Sequence, residues 1–213
     1  MTDRKAAFTL ARLLAAGLLP GVWVPDGTVR DLRAIVAARR KHVSLAVQVK
    51  NRLHSVLHRH HFLPPADVDL FSEDARAWWL ALPVSVLERV RIESDLDTLL
   101  FAQRQKRLFE AHMAQAAAGD ERVPLLVQLP GIGLINALTI LAAIGPIERF
   151  PSAAQLVGYA GLGASVHDSG QTRHTGRITK AGRRDLRGAM VEAANHAVRE
   201  HAHWRGVYAR LEP

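Results

Sequence analysis

The chain has 213 residues, enough for one large domain or two small ones, and its 48% hydrophobic residues suffice for a core. Aromatics are few and Ala, Leu, Val and Arg dominate, a balance that favours helix over sheet. The net charge of +8 points to a polyanionic partner, nucleic acid first and an anionic membrane surface second. The absence of cysteine excludes disulfides, thiolate metal sites and cysteine catalysis, and no apolar run approaches the roughly 18 residues of a membrane span. Asp3 and Arg12 break any signal-peptide layout, so a soluble cytoplasmic protein is expected, with no membrane partner.

In chain order, a short amphipathic helix carries Phe8, Leu10, Ala11, Leu14 and Ala15 and stops at Gly17 and Pro20. Val22-Trp23-Val24 reads as extended, and Pro25-Asp26-Gly27 as a turn. Thr28 is placed to cap a long helix from Val29 to about His61, with Asp31 completing an acidic capping box. Leu32, Val36, Arg39, Val43, Ala46, Lys50, Leu53 and Leu57 step four and three apart along it, a heptad seam weakened by two cations. Arg30, Arg33, Arg40, Lys41, Arg52 and Arg59 cover its other sides, as a solvated basic face or as a phosphate-facing stripe.

Pro64-Pro65 breaks the chain, and Ala66 to Leu82 is expected to hold a short helix whose Trp78 and Trp79 pack on the long one. A second long helix runs from Pro83 to about Ala118, with Leu99, Ala102, Lys106, Phe109, Met113 and Ala116 as its seam. Two such helices imply an antiparallel hairpin or a partner-binding coiled coil. Gly119-Asp120 closes the region.

Val123 to Gln128 then forms a short helix. Pro130-Gly131-Ile132-Gly133 turns into a second one, Leu134 to Ile144. This is the pattern of a helix-hairpin-helix element: Gly131 and Gly133 permit a tight turn, and the unpaired N–H groups of the second helix offer a place for a DNA phosphate. A structural turn between packed helices is the alternative. Gly145-Pro146 closes that helix, and Phe150-Pro151-Ser152 starts another, Ala153 to Tyr159. The segment from Gly161 to Gly182 is too rich in Gly, Ser, Thr and His for a helix and reads as an irregular loop that could contain a loose hairpin. Arg173, Arg177, Lys180, Arg183, Arg184 and Arg187 surround Ser169 with cations against Asp168 and Asp185. A final helix is expected from about Arg183 to Leu211. Clustered guanidiniums stabilise phosphoryl transition states, so Ser169 is either a nucleophile for phosphoryl transfer or an incidental serine in a DNA-binding loop.

Leu129-Pro130-Gly131-Ile132-Gly133, Phe150-Pro151-Ser152, Tyr159-Ala160-Gly161-Leu162, Ser169-Gly170 and Gly176-Arg177-Ile178-Thr179-Lys180-Ala181-Gly182 with Leu186-Arg187 form an ordered set. This set strongly resembles the C-terminal half of insertion-sequence transposases of the IS-one-ten and IS-eleven-eleven type. Thr2-Asp3-Arg4-Lys5-Ala6-Ala7 and Val22-Trp23-Val24-Pro25 resemble the end of that family's RuvC-like DEDD domain, so the resemblance covers essentially the whole chain. It implies DNA cutting and rejoining with Ser169 as nucleophile and Asp3 as one of four acids binding Mg2+. It also implies a guide RNA, and a homo-oligomer or association with full-length transposase.

The sequence departs from the pattern at Ala6, which stands where the family has a second aspartate, and the family's other acidic strands are missing. A lone carboxylate does not hold Mg2+ for such chemistry. The expectation is an N-terminally truncated transposase, catalytically incomplete alone and binding no Mg2+ stably, or else a non-catalytic DNA/RNA-binding and oligomerisation remnant. The expected fold is mostly α: residues 1–25 from the end of the RuvC-like domain, 26–119 a long-helix coiled-coil region, and 120–213 a small helical domain with the helix-hairpin-helix and the serine.

Overall fold

In a computed structural model, residues 3–19, 21–66, 68–169 and 172–211 are described, with only the backbone of 166–169 and 172–175. The fold is mostly helical, with one two-stranded antiparallel sheet among the described residues. The helices are α1 (Asp3–Ala15), α2 (Gly27–His60), α3 (Arg76–Leu80), α4 (Val86–Ala118), α5 (Arg122–Val127), α6 (Leu134–Ile144), α7 (Ala153–Ala160), α8 (Arg184–Glu200) and α9 (Ala202–Leu211), and the strands are β1 (Ala164–Ser169) and β2 (Thr172–Ile178).

Local chemistry explains where the long helices begin and end. Asp26, not Thr28, caps α2: its carboxylate accepts the Val29 N–H at 2.8 Å, so the helix starts at Gly27. The helix closes at His61, whose left-handed φ of 54° lets the N–H groups of His61 and Phe62 reach back to His58 and Leu57. Helix α4 starts at Val86 rather than Pro83, because Ser85 accepts the Glu88 N–H. The expected helix over Ala66 to Leu82 shrinks to one turn, Arg76–Leu80, whose Trp79 is wholly buried and donates from Nε1 to the Leu70 carbonyl at 2.7 Å.

Ion pairs fix the direction of the two long helices. Arg39 meets Glu110, Arg52 meets Asp95 and Arg59 meets Glu88, so α2 and α4 run antiparallel. Val49, Leu53, Val56 and Leu57 pack between them against Ile92, Leu96, Leu99 and Trp79. The seam is not a strict heptad. Lys50 leaves it to lie 4.5 Å from the Phe71 ring centre, and Arg39 is held at the flank by Glu110.

Helix α6 joins the two ends of the molecule. Its sequence is apolar on every side, and seven of its eleven residues are buried. One side packs with Val36, Met113 and Val123, the other with Ala160, Leu186 and Ala189. The spacing of Val29, Arg33 and Val36 puts Arg33 on the face of α2 that looks at this helix, and its role there is to cap. Arg33 Nε donates to the Ala142 carbonyl at 2.7 Å and Nη2 to Ala143 at 3.0 Å. Arg149 Nη1 donates to Ile144 at 2.9 Å and Arg122 Nη1 to Gly145 at 3.3 Å. Gly145 N–H itself takes the Leu141 carbonyl. The carbonyls that a helix end leaves unpaired are thus all met, three of the partners being guanidiniums that also oppose the negative end of the helix dipole.

Two points are decided at the C-terminal end. Of the readings open for the Gly161–Gly182 segment, an irregular loop or one containing a loose hairpin, the structure has the hairpin: β1 and β2 pair from Ala164–Ile178 to Ser169–Thr172, with a bulge after Ala164. The Val, Thr and Ile in it favour the extended backbone. The last helix is two helices. His201 is extended (φ −116°, ψ 120°), and the Arg205 side chain donates to the Val198 and Arg199 carbonyls, which breaks the run and fixes the corner.

Arg33→Ala removes two charge-assisted bonds to the carbonyls of two buried residues and should lower unfolding stability by about 2 kcal/mol. Arg33→Lys should recover less than half of that, because one ammonium does not span two adjacent carbonyls. Urea unfolding of the three proteins checks both.

Candidate nucleic-acid and nucleophile site

The turn before α6 divides its two glycines between different tasks. Gly131 has φ +84°, and a Cβ there would stand 2.1 Å from the Ala193 carbonyl, so this glycine lets the turn lie directly on the backbone of α8. Gly133 is extended and exposed, with nothing near its Cβ position. It precedes a helix start that has no side-chain cap. The N–H groups of Leu134, Ile135 and Asn136 have no hydrogen-bond partner among the described residues; the first bonded amide is Ala137, to Gly133.

That helix start opens into a cleft of about 920 Å³ between α2, α4, the turn and α8. Arg39 and Arg40 of α2 line one side, and Asp185, Glu192, His196 and Glu200 of α8 the other. Arg40 is exposed and makes no ion pair among the described residues. Neither arginine was singled out by the sequence pattern as a partner of the Pro130–Gly133 turn. They lie some ninety residues upstream and reach it only because α2 packs on α6.

The second group of residues forms a clasp at the base of the hairpin. Gly161, at φ +68°, ends α7. Thr179 N–H donates to Gly163 at 2.9 Å, Lys180 N–H to Gly161 at 3.1 Å and Arg183 N–H to Tyr159 at 2.9 Å. Gly182 stands so close to Tyr159 that a Cβ would meet its carbonyl oxygen at 2.4 Å. Arg187 crosses the knot, with Nη1 donating to Ala160 at 3.1 Å and Lys180 at 3.2 Å. Two separate sequence motifs, Tyr159 to Leu162 and Gly176 to Gly182, are therefore the two halves of one structural device.

The clasp redistributes the expected cations. Arg183 is bound to Asp185 at 2.5 Å and Arg187 is spent on carbonyls, so both build the fold. Arg177, Lys180 and Arg184 are exposed, and their side chains make no ion pair among the described residues. Lys180 holds a left-handed φ of 54°, which fixes its place at the turn. Ser169 ends β1 opposite Thr172, and Asp168 faces Arg173 across the ladder. The side chains of Ser169 and Arg173, and Gly170 altogether, lie outside the described residues, as does Thr2 of the N-terminal motif.

Asp3 stands in the first turn of α1, a helix with no buried residue. Among the described residues no group of three or more His, Asp or Glu side chains is placed to hold a metal ion. The described residues by themselves therefore do not form a magnesium centre. No helix described is long and apolar enough to cross a membrane.

Two carboxylates are tuned by these contacts. Burial pushes Asp185 up, but the Arg183 guanidinium and the Leu186 N–H outweigh it and hold the carboxyl below its ordinary value. The Arg122 side chain likewise lowers Asp120. A lowered folded value means that the stabilisation is complete above the unfolded carboxyl range, near pH 4, and is lost as pH falls through the folded value. The stability gap between wild type and Asp185→Asn should therefore be constant at neutral pH and narrow below about pH 4. Urea midpoints across that range check it.

Comparison with known proteins matches residues 123–209 to the Transposase IS116/IS110/IS902 family and residues 2–62 to a second family described as Transposase. The chain is 30% identical over 196 residues to a putative transposase, y4qE, of Sinorhizobium fredii, covering 91% of this chain and 47% of that one. It is 24% identical over 200 residues to the transposase for insertion sequence element IS1111A of Coxiella burnetii, covering 92% of this chain and 55% of that one. A pilin gene-inverting protein of Moraxella bovis is 39% identical over 76 residues, 35% of this chain and 24% of that one. The chain spans about half the length of the Sinorhizobium relative.

Proposed function

Because the chain belongs to the IS116/IS110/IS902 family of transposases, we propose that it is a DNA-transposition protein that grips nucleic-acid phosphates and presents Ser169 to a DNA strand. The observation that carries this reading is the base of the hairpin. Arg177 on β2, Lys180 just beyond it and Arg184 at the start of α8 stand there exposed, without ion pairs among the described residues. Cations left unpaired on a rigid base suit phosphate backbone contact, which positions without reading sequence. A second phosphate position is the start of α6, where Gly133 and three unbonded N–H groups face a cleft that Arg39 and Arg40 also line.

In this reading the Ser169 hydroxyl attacks a DNA phosphorus. An ester bond forms from Oγ as a phosphate–deoxyribose bond breaks, the hydroxyl proton ending on the departing deoxyribose oxygen; Arg173, one ladder position from Ser169, opposes the charge that builds on the phosphate oxygens, while Arg177 and Lys180, at the base of the hairpin, hold the flanking strand. Asp3 is the one acid of this chain placed by motif in the metal-binding set; the other carboxylates come from outside the described residues, from a longer transposase that associates with it. A bound guide RNA and a homo-oligomer belong to the same reading. The alternative role, a nucleic-acid-binding and oligomerising protein without catalysis, is favoured by the exposed, unclustered Asp3.

Binding of duplex DNA or structured RNA should weaken steeply with salt, and Arg177→Ala, Lys180→Ala and Arg184→Ala should each reduce the slope of log K against log salt by about 1. A slope near zero in the unaltered protein would sink the reading. With Mg2+ the chain alone should neither cut nor join DNA. When mixed with a full-length relative whose own serine is replaced, it should restore joining, and Ser169→Ala should abolish that restoration. Joining that persists with Ser169→Ala would show that the serine is incidental.

A further inference from the structure

Trp23 lies in the connector between α1 and α2, far in sequence from the hairpin, and none of the nucleic-acid contacts proposed above requires it. Its ring is half-buried and covers the end of α6: a Cβ at Gly145 would stand 2.7 Å from it. The Arg33 guanidinium is 5.1 Å from the ring centre and that of Arg149 is 4.0 Å. Arg149 also lies 4.7 Å from the Phe150 ring and 4.9 Å from the Tyr159 ring, while its Nη1 holds the Ile144 carbonyl. One guanidinium is thus enclosed by three aromatic rings drawn from two segments of the chain. Tyr159 belongs to both this cage and the clasp. Its hydroxyl donates to the Ala143 carbonyl at 3.3 Å, its own carbonyl accepts the Arg183 N–H, and Gly182 rests against that carbonyl.

We propose that Trp23 and Arg149 are positioning residues for the serine hairpin, acting through Tyr159 to fix the clasp from which the hairpin projects. The proposal rests on the reading of Ser169 as nucleophile. Neither residue touches the reacting atoms. Their task is orientation, and a misplacement of about 1 Å is enough to cost on the order of a hundredfold in rate. Arginine is required because a planar cation stacks on rings while its edge still donates to a carbonyl; a lysine ammonium does not do both in this geometry. The cage also links the residues before α2 to the hairpin, so the N-terminal connector sets the geometry of a site more than a hundred residues away.

Amide hydrogen exchange on the chain itself tests this. Arg149→Lys and Trp23→Ala should speed exchange of the Thr179, Lys180 and Arg183 amides by about tenfold or more, while amides near Leu53 and Leu96 keep their rates. Trp23→Phe should restore most of the protection. If Trp23→Ala does not fold, Arg149→Lys decides the question, because it keeps the charge and removes only the planar stack. Rates at the three amides equal to wild type, or a uniform rise across the chain, overturn the proposal. In the mixed joining assay Arg149→Lys should lower turnover with the salt slope of binding unchanged. Loosened amides together with a Ser169→Ala protein that joins normally would refute the nucleophile and leave the positioning of the hairpin standing.

Discussion

The architecture depends on how the carboxyl end of α6 is closed. A buried helix cannot leave its last carbonyls bare, since each unpaired acceptor in a low-dielectric interior costs about 1–3 kcal/mol. Here Arg33, Arg122 and Arg149 arrive from three different segments to meet Ala142, Ala143, Ile144 and Gly145. Each guanidinium therefore fastens its own element to α6. Arg33 brings the long helix α2, Arg122 brings the entry to α5, and Arg149 brings the turn that leads to α7. Trp23 then lies over the same helix end and adds the N-terminal connector.

This closure makes the two ends of α6 unequal. At the carboxyl end the backbone dipole is opposed by three cations. At the amino end, Gly133 leaves three N–H groups without side-chain partners, beside a cleft that Arg39 and Arg40 line. The amino end is the one whose backbone N–H groups are left unpaired among the described residues. The acids of α8 on the far wall, Asp185, Glu192 and Glu200, limit how far an anion can extend across the cleft, and Asp185 is already committed to Arg183. Three further exposed cations, Arg177, Lys180 and Arg184, stand at the base of the hairpin.

Much of the helical framework was legible because burial enforces periodicity. Val36, Leu53 and Leu57 of the expected seam are buried in α2, though Val49 and Val56, which it omitted, are buried too, and the apolar run from Leu134 to Ile144 reads as a buried helix. The start of α7 after Phe150-Pro151-Ser152 was legible too, and Ser152 proves to be its cap. The hairpin was harder, since its seven-residue second strand carries Arg, His and Gly and lacks a clean alternation. The break at His201 had no composition signal; it depends on where the Arg205 side chain finds carbonyls. Charge was the least legible property. The net charge counted Arg33, Arg149, Arg183 and Arg187 as available to a polyanion, whereas each is consumed in bonds within the fold. One clue to this was present in the spacing of Val29, Arg33 and Val36, which sets an arginine on a buried stripe.

The clasp at the base of the hairpin is built largely from main-chain atoms. Thr179, Lys180 and Arg183 contribute their amides, Gly161, Gly163 and Tyr159 their carbonyls, and Gly161 and Gly182 only their lack of a side chain. Such a fastening places almost no demand on what lies between Gly163 and Thr179. Lengthening that segment is cheap, about 0.6 kcal/mol of loop entropy for each doubling. The arrangement works like a socket that accepts interchangeable inserts. The fastening alone would let that segment be exchanged while leaving the helical body untouched; what restricts it is the role proposed for Ser169 and the close fit of Gly176 against Ser165.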